Sequence, residues 1–138
     1  MRIPAEDQRC PCGTGEIFGA CCAPVLRGDS VAPTAEALMR SRFTAFAVGD
    51  REHLLATWHP SSRPATLDLS DSLMWQRLDI LNTEGGPFDD VAHVEFAAQY
   101  RSPPGTPVEE RIKGVQRENI RFVRERGRWY YVDGDLQG

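Results

Sequence analysis

The chain has 138 residues, and its 16 Lys and Arg against 20 Asp and Glu give a formal charge of −4. With 41% hydrophobic and 26% charged residues it has the composition of a globular chain with a core, not of a disordered one. An acidic balance matches phosphate backbones poorly, so no nucleic-acid partner is expected, and no stretch approaches a membrane-spanning helix.

Met1 to Asp7 opens the chain without the apolar run of a signal peptide. The expected address is the cytoplasm, where thiols stay reduced. All four cysteines follow at once: Cys10-x-Cys12, eight residues, then Cys21-Cys22. Two disulfides in so short a segment need a bridge between near neighbours or an awkward crossing. One tetrahedral zinc ion removes that difficulty, because a short loop can wrap four sulfurs about 2.3 Å from a metal. Pro11 stiffens the first pair, and Gly13 and Gly15 allow bends that turn amides toward sulfur. Ile17 and Phe18 are placed to cover the metal or to anchor the segment. Sulfur in all four positions leaves no site for water, so the metal is read as structural and not as a Lewis acid. The alternative is a reduced or redox-active thiol cluster.

Cys10-Pro11-Cys12-Gly13-Thr14-Gly15 followed by Cys21-Cys22 resembles the SEC-C motif of the translocation ATPase SecA. The resemblance implies that zinc sits on Cys10, Cys12, Cys21 and Cys22. In SecA the motif contacts the chaperone SecB and the ribosome, which implies a protein partner reached through the knuckle. The lysines usual between the ligand pairs are replaced here by Glu16, Ile17, Phe18, Gly19 and Ala20, which puts that partner in doubt.

Pro24, Gly28 and Pro33 read as a linker, and the chain divides into a zinc segment at 1–28 and a body at 29–138. Thr34 caps a helix starting at Ala35, with Leu38, Met39, Phe43, Phe46 and Ala47 on one apolar face and Gly49 as its end. Asp50 caps a second helix carrying Leu54, Leu55 and Trp58, which Pro60 stops. Beyond residue 65 the period becomes two. A strand is expected near Leu78 to Leu81. From His93 to Tyr100, Val94, Phe96, Ala98 and Tyr100 share one face. Pro103, Pro104, Gly105 and Pro107 form a loop. Glu118 to Val123 and Trp129 to Val132 make two further strands joined at Arg126-Gly127. Helices first and antiparallel strands afterwards predict an α+β fold. The arginines between Arg117 and Arg128 read mainly as an exposed strand face.

Leu38-Met39-Arg40-Ser41-Arg42-Phe43, Thr57-Trp58-His59-Pro60-Ser61 and Gly127-Arg128-Trp129-Tyr130-Tyr131-Val132-Asp133-Gly134 resemble the bacterial YchJ family, also called UPF0225. That resemblance implies an NTF2-like body, a cone of curved antiparallel sheet closed by helices. It implies a fold and a metal but no reaction. Relatives often carry His-Glu-x-Ser before the Arg-Phe pair of the late strand, where this chain has Arg117-Glu118-Asn119-Ile120. Chemistry resting on that histidine and serine is therefore not expected here.

A cone of this kind has a cavity, and Arg42, His59, Glu118 and Asp133 are the candidates to line it. Arg42 lies beside the buried face of the first helix and calls for a carboxylate, with Glu118 and Asp133 as the partners in range. His59 is either an acid–base group or a cap on helix carbonyls. Two functions compete. The first is a binding or adaptor module for a protein or small molecule. The second is a small NTF2-like enzyme of isomerase, dehydratase or hydrolase type, with one acid–base residue in the cavity. The absence of a Ser-His-Asp set or phosphate loop favours binding.

Overall fold

The computed structural model describes residues 3–69, 73–86 and 88–137, so Met1 and Arg2 of the opening segment and the terminal Gly138 lie outside it. Helix α1 (Cys22–Arg27) is followed by α2 (Ala35–Val48) and α3 (Arg51–Ala56), then by strands β1 (Met74–Glu84), β2 (Val91–Arg101), β3 (Lys113–Glu125) and β4 (Arg128–Gln137). The segment read as a linker thus contains α1. Pro24 is tolerated there because it falls in the first turn, where its missing N–H has no partner to lose.

Local chemistry sets the two central helices. Thr34 Oγ1 accepts from the Ala37 amide at 3.0 Å and Asp50 Oδ1 from the His53 amide at 3.1 Å, satisfying donors that the first turns would orphan. Such a cap stabilises by about 1 kcal/mol. Helix α2 is buried on more than the expected stripe: Leu38, Met39, Ser41, Arg42, Phe43, Thr44, Ala45 and Val48 all lie inside. Phe46, expected on the apolar face, is 40% exposed. The reason is that α2 is covered on two sides, by the sheet and by the N-terminal segment, and Phe46 falls at the open end between α2 and the sheet.

The four strands form one antiparallel sheet in the order β1-β2-β3-β4. They run well past their sequence-read ends, because continuous cross-strand pairing such as Tyr100 with Gly114 and Arg101 with Lys113 carries polar residues along with the apolar ones. The β3–β4 hairpin turns at Arg126 and Gly127, both with positive φ (54° and 77°), and Glu125 pairs with Arg128. That is the two-residue primed turn whose twist matches the flanking strands. Val94, Phe96, Ala98, Ile120 and Phe122 form the inner face against α2. Cys10, Cys12, Phe18, Cys22 and Ala23 belong to the same buried cluster, so knuckle and body share one core. Among the described residues no helix is long and apolar enough to cross a membrane.

Candidate functional site

The knuckle is held by a miniature ladder. Arg9 bridges Ile17 in antiparallel sense, with Cys10 N–H donating to Glu16 O at 2.9 Å and Phe18 N–H to Gln8 O at 2.7 Å. Between these rungs the chain must reverse within a few residues, which it does through Gly13 and Gly15 at φ 83° and 91°. Cys21 follows the 3-10 turn Phe18–Ala20, and Cys22 opens α1. Phe18 is buried and anchors the segment, whereas Ile17 is 45% exposed. The four Sγ atoms lie within 4.8 Å of one another, with Cys12 and Cys21 3.5 Å apart. A tetrahedral zinc–thiolate site has sulfur–sulfur edges of about 3.8 Å, so side-chain adjustments of about 1 Å or less close the donor set on a metal ion.

Side chains from α2 and from Thr14 within the motif complete this shell. Thr44 of α2 donates its hydroxyl to Cys22 Sγ at 3.3 Å, and Cys10 Sγ lies 3.8 Å from the same oxygen. Thr14 Oγ1 is 3.2 Å from Cys21 Sγ. Arg40 donates to the Cys12 carbonyl at 2.8 Å and to Glu36 at 3.1 Å. The packed sulfurs cannot ionise independently. Hydrogen bonds with the Cys10 and Cys22 thiols hold Cys12 well below its ordinary value, and hydrogen bonds with Cys10 and Cys12 push Cys22 far up. Burial raises Cys21 to about 11. Such a set needs a cation at its centre to carry four thiolates at neutral pH. The cysteine spacing does not reveal Thr44 and Arg40, since each lies more than twenty residues beyond the cysteine it contacts; only the polar positions on a largely buried helix point to them.

The second feature is a cavity of about 300 Å³ between α2 and the sheet. Met39, Phe43 and Phe46 of α2, Trp58, Trp75, Phe96, Ile120 and Tyr131 wall it. Arg42 and Glu118 both line it, bringing together two of the four residues singled out in the sequence. Arg42 is only 3% exposed. Its Nη1 donates to the Leu54 carbonyl at 2.8 Å and to Thr57 Oγ1 at 2.7 Å, capping the end of α3. Its guanidinium lies 4.5 Å from the Tyr131 ring centre and 5.4 Å from that of Trp58. Burial lowers Arg42 to about 10, partly offset by Tyr131. Burial likewise raises the Tyr131 phenol, with Arg42 opposing and Glu118 adding to the shift.

The expected ion pair of Arg42 with Glu118 or Asp133 does not form. Glu118 accepts from Gln116 Nε2 at 2.8 Å. Asp133 is turned away by a bulge: Tyr131 pairs with Phe122, but Asp133 pairs with Arg121, so one extra residue shifts the alternation. Asp133 then meets Arg121 on the outer face at 3.0 and 3.2 Å. His59 is also outside the cavity. Its backbone N–H pairs with Tyr131 O at 2.7 Å, and its ring joins Glu125 at 2.8 Å and Ser61 at 2.7 Å. Because Nδ1 also accepts from the Ser61 amide, Nε2 donates to Glu125. His59 therefore fastens the segment after α3 to the β3–β4 hairpin. Arg117, Arg121 and Arg124 each lie against a carboxylate, of Glu95, Asp133 and Asp90. The histidine that the fold buries is His53, overlooked in the sequence because it sits among charged helix residues. Its Nε2 is 2.9 Å from Ser41 Oγ, and burial pushes it down to about 4, with Asp50 opposing and Arg42 assisting.

Residues 34–134 match the family model described as YchJ, middle NTF2-like domain. A UPF0225 protein of Corynebacterium efficiens is 51% identical over 131 residues, covering 94% of this chain and 95% of that relative. The solution structure of a SEC-C motif containing protein from Rhodopseudomonas palustris superposes with a TM-score of 0.78 at 30% identity, covering 94% of this chain and 98% of that one. The crystal structure of a SEC-C motif containing protein from Psychrobacter arcticus shares the fold, with a TM-score of 0.71 at 22% identity over 96% of this chain and 85% of that one. A four-stranded NTF2-like body behind a cysteine knuckle, together with these matches across nearly the full length, makes the chain a member of the UPF0225 (YchJ) family.

Proposed function

We propose that the protein is a zinc-braced binding module of the cytoplasm, with a knuckle at 1–28 and a ligand-holding body at 29–138. Zinc is the ion that four sulfurs in a closed tetrahedron suit best, and with no open position its part is to hold shape. The observation that carries the binding reading is the cavity. It is apolar and aromatic, it contains one buried guanidinium, and among the described residues no imidazole lines it. That is the chemistry of recognition more than of proton transfer.

Two measurements test the proposal on protein purified under reducing conditions. Elemental analysis should find one zinc per chain, and a Cys10→Ser, Cys12→Ser variant should lose it together with thermal stability. Native mass spectrometry should show a small molecule retained by the intact protein and released on denaturation. Zinc below half an equivalent, with the double variant as stable as the parent, would end the metal reading.

Glu118 supports the enzymatic alternative, since it is a carboxylate in the same cavity. In that case Glu118→Gln would leave ligand binding intact and stop conversion of the bound molecule, which mass spectrometry of the ligand before and after incubation would reveal.

A further inference from the structure

The buried charge of Arg42 is only half used. Both of its hydrogen bonds leave from Nη1. Among the described residues Nε and Nη2 have no hydrogen bond, and no carboxylate forms an ion pair with the guanidinium. Two neutral acceptors and two ring faces offset only part of the cost of burying a full charge. The remaining donors belong to a side chain on the wall of a cavity with room for a ligand. Nε and Nη2 form one edge of the planar fork, the edge that accepts a carboxylate through two parallel hydrogen bonds.

The sheet side of the cavity supplies the opposite charge. Glu118 reaches it from β3, on the same strand face as Gln116 and Ile120. One of its oxygens is held by Gln116, and the other, Oε1, lies over Gly134, where an added Cβ would come within 3.4 Å. The Tyr131 phenol senses both charges. Phe43, Trp58, Trp75 and Phe96 make the rest of the lining largely aromatic. A volume of about 300 Å³ is at the small end for ligand sites and suits one ring with short substituents.

We infer that the cavity binds a single-ring aromatic acid, its carboxylate on the Nε–Nη2 edge of Arg42 and a hydroxyl or amino group donating to Glu118. A phosphate ester fits less well. It brings close to two negative charges where one cation is available, and Glu118 repels the excess. This inference rests on the binding-module reading and adds the identity of the ligand class.

The test is a fluorescence titration of the zinc-loaded full chain, since Trp58 and Trp75 both stand in the wall. The probes are 4-hydroxybenzoate, its methyl ester, 4-methoxybenzoate, phenyl phosphate and uncharged 4-methylphenol. The acid should quench saturably and raise the melting temperature. The ester, which lacks the charge, and the methoxy acid, which lacks the donor, should each bind about tenfold more weakly or worse. Glu118→Gln should shrink the gap between hydroxy and methoxy acids, and Ala98→Leu should block binding by filling space. Arg42→Lys keeps a charge without the fork and should lose most of the preference for acid over ester. Should Arg42→Lys fail to fold, the probe series on the parent protein still decides. Ester or 4-methylphenol binding as tightly as the acid, or phenyl phosphate binding more tightly, overturns the ligand class and leaves the binding module standing. No response to any probe overturns the ligand class, and the binding module falls with it when native mass spectrometry also finds no retained molecule.

Discussion

Single residues here do chemistry that their neighbours dictate. His53 is 7% exposed, held at Ser41, and sits in a place where protonation has no compensating anion close enough to win. Its folded pKa, about 4, lies below the ordinary 6.5. As pH falls below about 6.5 the unfolded chain takes up a proton that the folded chain refuses, so this group costs nothing above that pH and progressively destabilises the fold down to about 4. The loss reaches up to about 3 kcal/mol. Melting temperature measured between pH 7 and pH 4 should fall less steeply in His53→Gln than in the parent; equal slopes would remove His53 from the acid response. The cysteines are legible as ligands in the sequence because their chemistry is local, four sulfurs in thirteen positions. The placement of His59 and Asp133 is not, because each depends on which strand position opposes it.

At the scale of elements, α2 connects the two features. Its Arg40 and Thr44 serve the cysteine shell, while Met39, Arg42 and Phe43 face the cavity. Neighbouring positions on one helix point in different directions, so a single helix presents separate faces to knuckle and pocket. Thr44→Val preserves shape and removes the hydroxyl that donates to Cys22 Sγ. Competition with a chromogenic chelator should show metal affinity reduced by about tenfold to a hundredfold, with far-ultraviolet dichroism unchanged. An unaltered affinity would make that hydrogen bond incidental. The caps at Thr34 and Asp50, the hairpin turn at Arg126-Gly127 and the alternation from Val94 to Ala98 are legible in the sequence, since each rests on neighbours within a few residues. Helix α1 is hidden by Pro24, whose usual meaning as a breaker does not hold in a first turn.

At the scale of the whole molecule, one buried cluster runs from Cys10 and Phe18 through Leu38 and Phe43 to Phe96 and Phe122. No layer of solvent divides knuckle from body along it. Metal removal should therefore lower the stability of the entire chain and not release an isolated segment. Differential scanning calorimetry with and without a chelator should give one transition in each case, shifted to lower temperature without metal. Two separate transitions would mean that the knuckle melts by itself. The antiparallel order of the sheet follows from helices preceding a run of strands, but the continuity of the core does not, because a Pro- and Gly-punctuated stretch reads as a tether unless α1 packs down.

The bulge near Val132 has an outcome that residue identities alone do not reveal. Were the ladder regular at that point, Asp133 would oppose Ile120 in place of Arg121, and its carboxylate would swing inward. The pocket would then hold two carboxylates, Glu118 and Asp133, against one guanidinium, and its balance would turn negative and repel acids. One unpaired position in a strand thus stands beside Arg42 and Glu118 in setting the electrical character of the chamber.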